Sequence, residues 1–444
     1  MDRPTHTDDR LRKQGFDTLD PPEYDKILDC IHCGFCLPTC PTYLVLGNEM
    51  DSPRGRIYLA KAAHNGTLDV TSPSVVHHMF ACLLCRACET ACPSSVQFGS
   101  IMEATRGQIH RYYTWPLGKR LLRRLIFSVF PYPERVRRVI QLGKLYQRLG
   151  LHRLVRGSRL LHKVSESLAV MEELLPPPAE MPNLPPLPEV TPARGEKRYR
   201  VGVLSGCVQR IMFAHVNAAT VRVLAQNGCE VIVPPGQGCC GSLQAHEGER
   251  EAAKAFARRT IETFERAQVD SVIVNAAGCG SLMKEYHDLL KDDPRYAKRA
   301  EALSAKVRDI LQFLSEIEAN GRLGRVPLKA TYHDACHLVH GQKVRAEPRH
   351  VLARVPGLEL VPLNESDFCC GSAGVYNILE PATARAFLTR KLDNIEATGA
   401  EAVITGNPGC AMQIAMGLRQ RGRSIKVFHP VEILDMAYRA AEHG

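Results

Sequence analysis

The spacing of apolar residues changes character along the chain. From Val136 through Ile140, Leu142, Leu145 and Leu149 they recur mostly at three- and four-residue steps, the period of one helix face. Beyond residue 197 they gather instead into short runs: Val201-Gly-Val-Leu204, Glu230-Val-Ile-Val-Pro234, Ser271-Val-Ile-Val-Asn275, Ala330-Thr-Tyr332, Leu358-Glu-Leu-Val-Pro362 and Ala402-Val-Ile-Thr-Gly406. Short apolar runs bounded by Gly, Pro and Asn read as buried strands, and they alternate here with helical stretches such as 218–228. That alternation predicts two α/β lobes with parallel sheets, at 197–300 and 326–440. Between the two regimes Pro176-Pro-Pro178, Pro182, Pro185, Pro186, Pro188 and Pro192 predict an extended linker over 171–196. A polar lead runs to residue 29, with Pro21-Pro22 as a helix-start signal, and Asp51 to His64 reads as a turn and a helix. The chain thus divides into a helical part at 20–105, a basic helical region at 106–170, the linker and the two lobes.

The lobes repeat each other. Cys207 lies 129 residues before Cys336, Cys239 lies 130 before Cys369, and Cys279 lies 131 before Cys410. Nearly constant offsets of this kind mean a duplicated unit. Each copy places one cysteine after its first strand, a Cys-Cys-Gly triplet after its second and one cysteine after a later strand. Loops leaving the carboxyl ends of parallel strands converge at one sheet edge, where such folds place their sites.

A chain of 444 residues with 45% hydrophobic and 23% charged residues has the composition of a globular protein of about three domains. The segment from Met1 to Gly15 is polar and mixed in charge, without the apolar core of a secretory signal, and no apolar run reaches the length of a membrane span. A reducing cytoplasm is therefore the expected compartment, where thiolates stay available to metal. The net charge of +10 is concentrated: fifteen Lys and Arg stand between Arg106 and Lys163 against the single Glu134. Two readings are open. Either these are solvated helix faces, or, with Leu121, Leu122, Leu125, Ile126 and Phe127 interleaved, segment 106–163 meets the inner face of the cytoplasmic membrane or an acidic partner. Nucleic acid is not expected, because no binding module accompanies the charge.

The chemistry concentrates in two runs, Cys30-Ile-His-Cys33-Gly-Phe-Cys36-Leu-Pro-Thr-Cys40-Pro41 and Cys82-Leu-Leu-Cys85-Arg-Ala-Cys88-Glu-Thr-Ala-Cys92-Pro93. Both follow C-x2-C-x2-C-x3-C-P, in which three thiolates hold one 4Fe-4S cluster and the fourth crosses to the other. Cys30, Cys33, Cys36 and Cys92 are then expected on one cluster, and Cys82, Cys85, Cys88 and Cys40 on the second. Zinc ribbons use well-separated C-x2-C pairs and have no place for the third close cysteine. The expected fold is mixed: a helical two-cluster ferredoxin-like domain, then the duplicated α/β cysteine-rich unit.

In the lobes, Cys207, Cys239, Cys240, Cys279, Cys336, Cys369, Cys370 and Cys410 are candidates for a further cluster or for a thiol redox centre, a structural relic being the third choice. Cys229 reads as a small buried apolar residue. His333, His337 and His340 would share one face of a helix around Cys336; partly exposed polar histidines are the simpler reading, a proton relay or extra ligand the other. Arg54 and Arg56 read as supports for the fold or for cluster charge. Gly236-Gln-Gly238 runs into two cysteines instead of opening a helix, so no flavin is expected on this chain.

With these motifs the sequence resembles the iron–sulfur subunit of glycolate oxidase over nearly its whole length. The phrases that carry this are Leu204-Ser-Gly-Cys207-Val-Gln209, Gly238-Cys-Cys-Gly241, Ser366-Asp-Phe-Cys-Cys-Gly-Ser-Ala-Gly374 and His429-Pro-Val-Glu432. The lobes are also similar to heterodisulfide reductase subunits and to the iron–sulfur subunit of anaerobic glycerol-3-phosphate dehydrogenase. In the heterodisulfide reductase pattern each lobe ends C-x2-C, whereas Leu282 and Gln413 stand at those last positions here. The resemblance implies a hetero-oligomer. A flavoprotein subunit oxidises a 2-hydroxy acid such as glycolate, and this chain carries electrons singly toward a quinone or other acceptor without oxidising substrate by itself. The alternatives it leaves are the iron–sulfur subunit of a lactate or glycerol-3-phosphate dehydrogenase, and a catalytic subunit whose lobes reduce a disulfide or quinone.

Overall fold

Strands that are buried on both faces need crossover helices to cover them, and the apolar runs after residue 197 meet that condition. The computed structural model describes residues 15–158, 160–180 and 184–442; Arg159 of the basic region, Pro182 of the linker and the lead from Met1 to Gln14 lie outside them. In the first lobe β1 (Val190–Thr191), β2 (Tyr199–Val203), β3 (Cys229–Ile232), β4 (Ser271–Val274) and β5 (Val307–Asp309) form one sheet in the order β1-β3-β2-β4-β5. All neighbours are parallel except β1, which pairs antiparallel with β3 through Val190↔Ile232 and Thr191↔Val231. The end of the proline-rich stretch is therefore hydrogen-bonded to the sheet as an edge strand.

The second lobe has β6 (Leu328–Tyr332), β7 (Leu358–Val361), β8 (Ala402–Ile404) and β9 (Lys426–Phe428), all parallel, in the order β7-β6-β8-β9. Without β1 this is the order of the first lobe, so the duplication extends from cysteine spacing to topology. Chain order reverses beside β2 and β6, which opens a crevice at the carboxyl ends of both sheets. Val201, Val203 and Ile273 of one lobe share a core with Ala330, Ala402, Ile404, Val431 and Ile433 of the other. Arg222 in helix Ala214–Gln226 forms a two-pronged pair with Asp435 in helix Pro430–Glu442, at 2.7 and 2.8 Å. The helices of the basic region from Leu121 onward belong to this same unit.

The other unit comprises residues up to Arg120 together with Leu243–Ala253. Three of its helices, Pro41–Leu46, Pro53–His64 and Pro73–Ala81, begin on proline, whose missing N–H is one of the donors a helix start leaves unpaired anyway. Ser52 caps the second of them by accepting from Gly55 N–H at 3.0 Å. Helix Phe98–Tyr112 is buried over most of its length, so its polar residues need partners inside. Arg106 donates to the carbonyls of Met79, Cys82 and His246, and Glu103 pairs with His246 Nδ1 at 2.8 Å. Segment 243–253 is tied in by these contacts and by Arg250 on Asp20 at 3.1 Å. Gly248 there has φ +81°, and a Cβ would lie 2.4 Å from the Arg106 carbonyl.

Burial alone would raise the Glu103 carboxyl, but the His246 hydrogen bond and the charges of His246, Arg86 and Arg250 outweigh it and hold it at about 2. A folded value below the ordinary one contributes stability that is complete above about pH 4.5 and lost as pH falls toward 2. At neutral pH Glu103→Gln should therefore loosen the segment, and hydrogen exchange of 243–253 should speed up by about tenfold or more while the amides of β2 and β6 keep their rates.

Candidate metal centres

Turns that wrap a chain around a central point need residues at positive φ. In the first cysteine run His32 (φ 56°) and Gly34 (φ 87°) flank Cys33; in the second Leu84 (φ 51°) and Arg86 (φ 64°) flank Cys85. The two loops thus take the same path. Glycine accepts it without strain, whereas Arg86 bears about 1–2 kcal/mol. Its guanidinium is locked: a Cβ on Gly99 would come within 2.3 Å of it, and Glu89 is 3.8 Å away.

Cys30, Cys33, Cys36 and Cys92 line one small cavity, open to solvent on one side, with Ile57, Val96, Phe98 and Arg54. Cys40, Cys82, Cys85 and Cys88 line a second, with Pro53, Arg56, Leu83 and Phe98. The last cysteine of each run faces the cavity of the other run, and Cys88 reaches both. Cys33 is exposed while the second set is buried throughout. Burial pushes the thiols of Cys30, Cys36 and Cys40 up, and that of Cys88 well up. Thiols so placed ionise readily only with a metal beside them. Sulfur-only donor sets in apolar cups fit iron–sulfur cubes.

Beneath the second set lies a fully buried cation. Arg56 donates to Thr42 Oγ1 at 3.0 Å, to the His78 carbonyl at 2.7 Å, to the Asp51 carbonyl, and to Asp51 Oδ1 at 3.2 Å. Thr42 Oγ1 is in turn 3.2 Å from Cys40 Sγ, so the Arg56 charge sits two contacts from a cluster thiol.

In the lobes each first cysteine follows its strand by four residues: Cys207 after β2 and Cys336 after β6. The Cys-Cys-Gly triplets turn at Gly241 (φ 90°) and Gly371 (φ 85°). A Cβ on Gly371 would lie 2.5 Å from the Ala384 carbonyl, so the triplet needs glycine for space as well as for φ. Cys279 and Cys410 lie at the starts of helices Ala277–Lys284 and Pro408–Gln420. The fold gathers each set: Cys239 is within hydrogen-bonding reach of Cys207 and Cys240, and Cys240 of Cys279. Cys369 stands likewise to Cys336 and Cys370, and Cys370 to Cys410. Cys240 and Cys370 are favoured as thiolates because they accept from the cysteines on either side, Cys370 from His333 as well, whereas Cys239, Cys279, Cys369 and Cys410 are pushed well up by those same contacts and by burial. Cys229 stays apart in β3, pushed up to about 12 by burial.

The three histidines do not share a helix face. His333 precedes a π-helical turn, His337–Gly341, whose i→i+5 bonding breaks the expected period. His333 is buried against the Cys370 and Cys410 sulfurs, its ligating atom within 4.8 Å of both. His340 is buried near Asp367, at 4.0 Å, with its pKa lowered to about 4 by desolvation; His337 is half-buried on the turn. Lys391, unremarkable in the sequence, is buried in helix Pro381–Ala397, with Nζ on the carbonyls of Glu365 and Ser366, just before the second triplet. Desolvation lowers it to about 8, with the Cys370 and Cys369 thiols opposing the shift. Only its long side chain reaching back across the sheet edge reveals it, a signal that helix periodicity does not carry. At the positions where the heterodisulfide reductase pattern has its last cysteine, Leu282 is in the core and Gln413 accepts from Asn377 Nδ2 at 2.7 Å.

Two four-thiol cups in a helical unit, and two four-thiol sets on a duplicated α/β fold, define an iron–sulfur protein of electron transfer. Residues 26–96 match the 4Fe-4S dicluster domain family, 201–284 and 330–415 the cysteine-rich domain family, and 118–175 the linker region of the glycolate oxidase iron–sulfur subunit. The chain is 40% identical to the probable glycolate oxidase iron–sulfur subunit of Bacillus subtilis, over 94% of this chain and 95% of that one. With the glycolate oxidase iron–sulfur subunit of Escherichia coli it shares 36% identity over the same shares of the two chains. Lactate utilization protein A of Shouchella clausii is 36% identical over 53% of this chain and 98% of its own. The chain belongs to the glycolate oxidase iron–sulfur subunit family.

Removing the Arg56 cation would leave the buried Asp51 carboxylate with His78 Nδ1, at 2.9 Å, as its remaining charged partner, a loss of about 3 kcal/mol at the lower end of the cost of breaking a buried pair. Arg56→Ala should accordingly bleach its visible cluster absorbance at lower denaturant concentration than the parent chain; an unchanged midpoint would show that Asp51 is satisfied without it.

Proposed function

We propose that this chain is the electron-transfer subunit of a flavin-dependent 2-hydroxy-acid dehydrogenase, with glycolate the substrate its relatives favour. A flavoprotein partner supplies the electrons, and a quinone is the acceptor. The observation that carries the reading is the pair of adjoining cysteine cups sharing Cys88. Cys30, Cys33, Cys36 and Cys92 would hold one 4Fe-4S cluster and Cys82, Cys85, Cys88 and Cys40 the other, with a further cluster in the lobes. Clusters of this kind each take up one electron at a time from a two-electron flavin donor. The chain's own residues do the rest. Ile57, Val96 and Phe98 exclude water, and the Arg54 and Arg56 charges favour the reduced, more negative state. The exposed Cys33 side is rimmed by Ile31 and Phe35, which are 68% and 65% exposed, and this supports it as the face the flavoprotein covers.

The crossing makes the reading testable. Cys92→Ser should remove the cluster of the first run and lower iron by about four per chain while the signal of the second cluster remains. Loss of the second cluster alone would reverse the ligand sets, and zinc in place of iron would end the reading.

The basic region supports docking at an anionic membrane. Among the described residues no helix is long and apolar enough to cross a bilayer. Yet helix Pro133–Arg148 and the residue after it expose Val139, Leu142, Leu145 and Leu149, the second and fourth by 67% and 63%, beside exposed Arg138 and Arg148. Leu121 and Leu125 of helix Leu117–Val129 are exposed with Arg120 and Arg124 in the same way. Apolar side chains ringed by arginine suit a phosphatidylglycerol surface. Replacing Leu142, Leu145 and Leu149 together by Gln should cut flotation with phosphatidylglycerol vesicles at least tenfold and leave iron content unchanged; undiminished flotation would remove these residues from the contact.

A further inference from the structure

The two lobes match in topology and in their four cysteines, so a difference between them at the thiols is informative. The residue three before the first cysteine is Leu204 in one lobe and His333 in the other. Leu204 is an ordinary core residue, 3% exposed. His333 is 1% exposed, and neither Nδ1 nor Nε2 has a nitrogen or oxygen partner. A buried imidazole without such a partner is unfavourable unless something else takes its lone pair or proton, and the Cys370 sulfur lies within hydrogen-bonding reach of it.

The surroundings hold the ring in place. His333 N–H donates to the Ile404 carbonyl at 2.9 Å, which extends the β6–β8 pairing by one residue. Asp334 beside it is clamped by Arg349 at 2.8 and 2.6 Å and bonds Ser366 through its own N–H at 3.1 Å. The side chain is thereby directed at the sulfurs of Cys370 and Cys410, all three ligating atoms lying within 4.8 Å of one another. Cys369 is within hydrogen-bonding reach of both Cys336 and Cys370, and so joins Cys336 to the group. Asn407 Nδ2 also donates to Cys410 Sγ at 3.4 Å, and Lys391 lies buried behind the triplet; the equivalent stretch of the first lobe carries Thr260 and Ile261.

We infer that the second lobe holds an iron–sulfur cluster to which His333 is a nitrogen ligand alongside Cys336, Cys369, Cys370 and Cys410, whereas the first lobe offers sulfur alone. A sulfur-rich set on a cysteine-rich lobe suits iron in a cluster, and a closed zinc tetrahedron drawing on four of these donors is the competing occupant that the test separates. A neutral imidazole brings no negative charge, and a nearby Lys391 adds a positive one. The imidazole leaves the charge of the four thiolates common to both lobes unchanged and the lysine raises the reduction potential, so the second lobe is the more oxidising of the two. The inference rests on the reading above that the lobes hold a cluster.

The test uses the full chain purified anaerobically with isotopically labelled histidine, reduced, and examined by pulsed electron paramagnetic resonance together with iron and zinc analysis. His333→Leu copies the residue of the first lobe, and His333→Cys supplies a replacement sulfur. The expected result is a nitrogen coupling in the parent that both variants lose, with iron retained in His333→Cys at a lowered midpoint potential. A coupling absent from the parent, or unchanged in His333→Leu, overturns the inference, as does zinc in the second lobe. Cys370→Ser separates the two levels. If it keeps the full iron content, the lobe holds no cluster and the underlying reading fails; if it loses about four irons while His333→Leu changes neither iron nor spectrum, only the role of His333 fails.

Discussion

Thiols gathered around one point repel as soon as two of them ionise, and most of this structure can be understood as the answer to that repulsion. Sixteen of the seventeen cysteines stand in four such sets. Burial favours the uncharged thiol and a metal favours the thiolate, so each set is incomplete without a cation. The protein supplies part of that charge itself, through Arg56 under Cys40 and Lys391 behind Cys369 and Cys370. Backbone N–H groups add to it, as Leu84 does to Cys82 Sγ and Gly241 to Cys239 Sγ, both at 3.3 Å.

The two halves solve the gathering problem differently. In the helical unit a short loop with alternating positive φ wraps three sulfurs around one point, and after Cys40 a proline starts the helix that carries the chain away. In the lobes the sulfurs come from three separate strand ends, and the parallel sheet brings them together. The first solution is local and depends on few residues. The second depends on the whole lobe core, so its sulfur geometry is only as firm as the packing of β2 with β4 and of β6 with β8.

Much of the fold was legible in advance, for physical reasons that can be named. The strands could be read because buried parallel strands are continuous apolar runs, and the duplication because cysteine offsets survive where other residues drift. Gly241 and Gly371 were visible as glycines, and the φ values of 90° and 85° show why no other residue would serve. The histidines were misjudged. Their four- and three-residue steps suggested one helical face, but the π turn at His337–Gly341 and the strand end before it send the three side chains to different places. Lys391 gave no signal, since a lysine on an amphipathic helix is normally a solvated residue.

By itself the sequence determined the chemistry of the chain: which cysteines form runs, which form repeats, and that the donors are sulfur. Those are properties of residue type and spacing, and each run or strand carries them locally. Only the tertiary structure decided that segment 243–253 packs with the helical unit, that Lys391 is buried behind the second triplet, and that His333 lies against the thiols of the second lobe. Such facts depend on contacts between residues tens to more than a hundred positions apart. Core packing and sheet register set those contacts, and no local pattern encodes them.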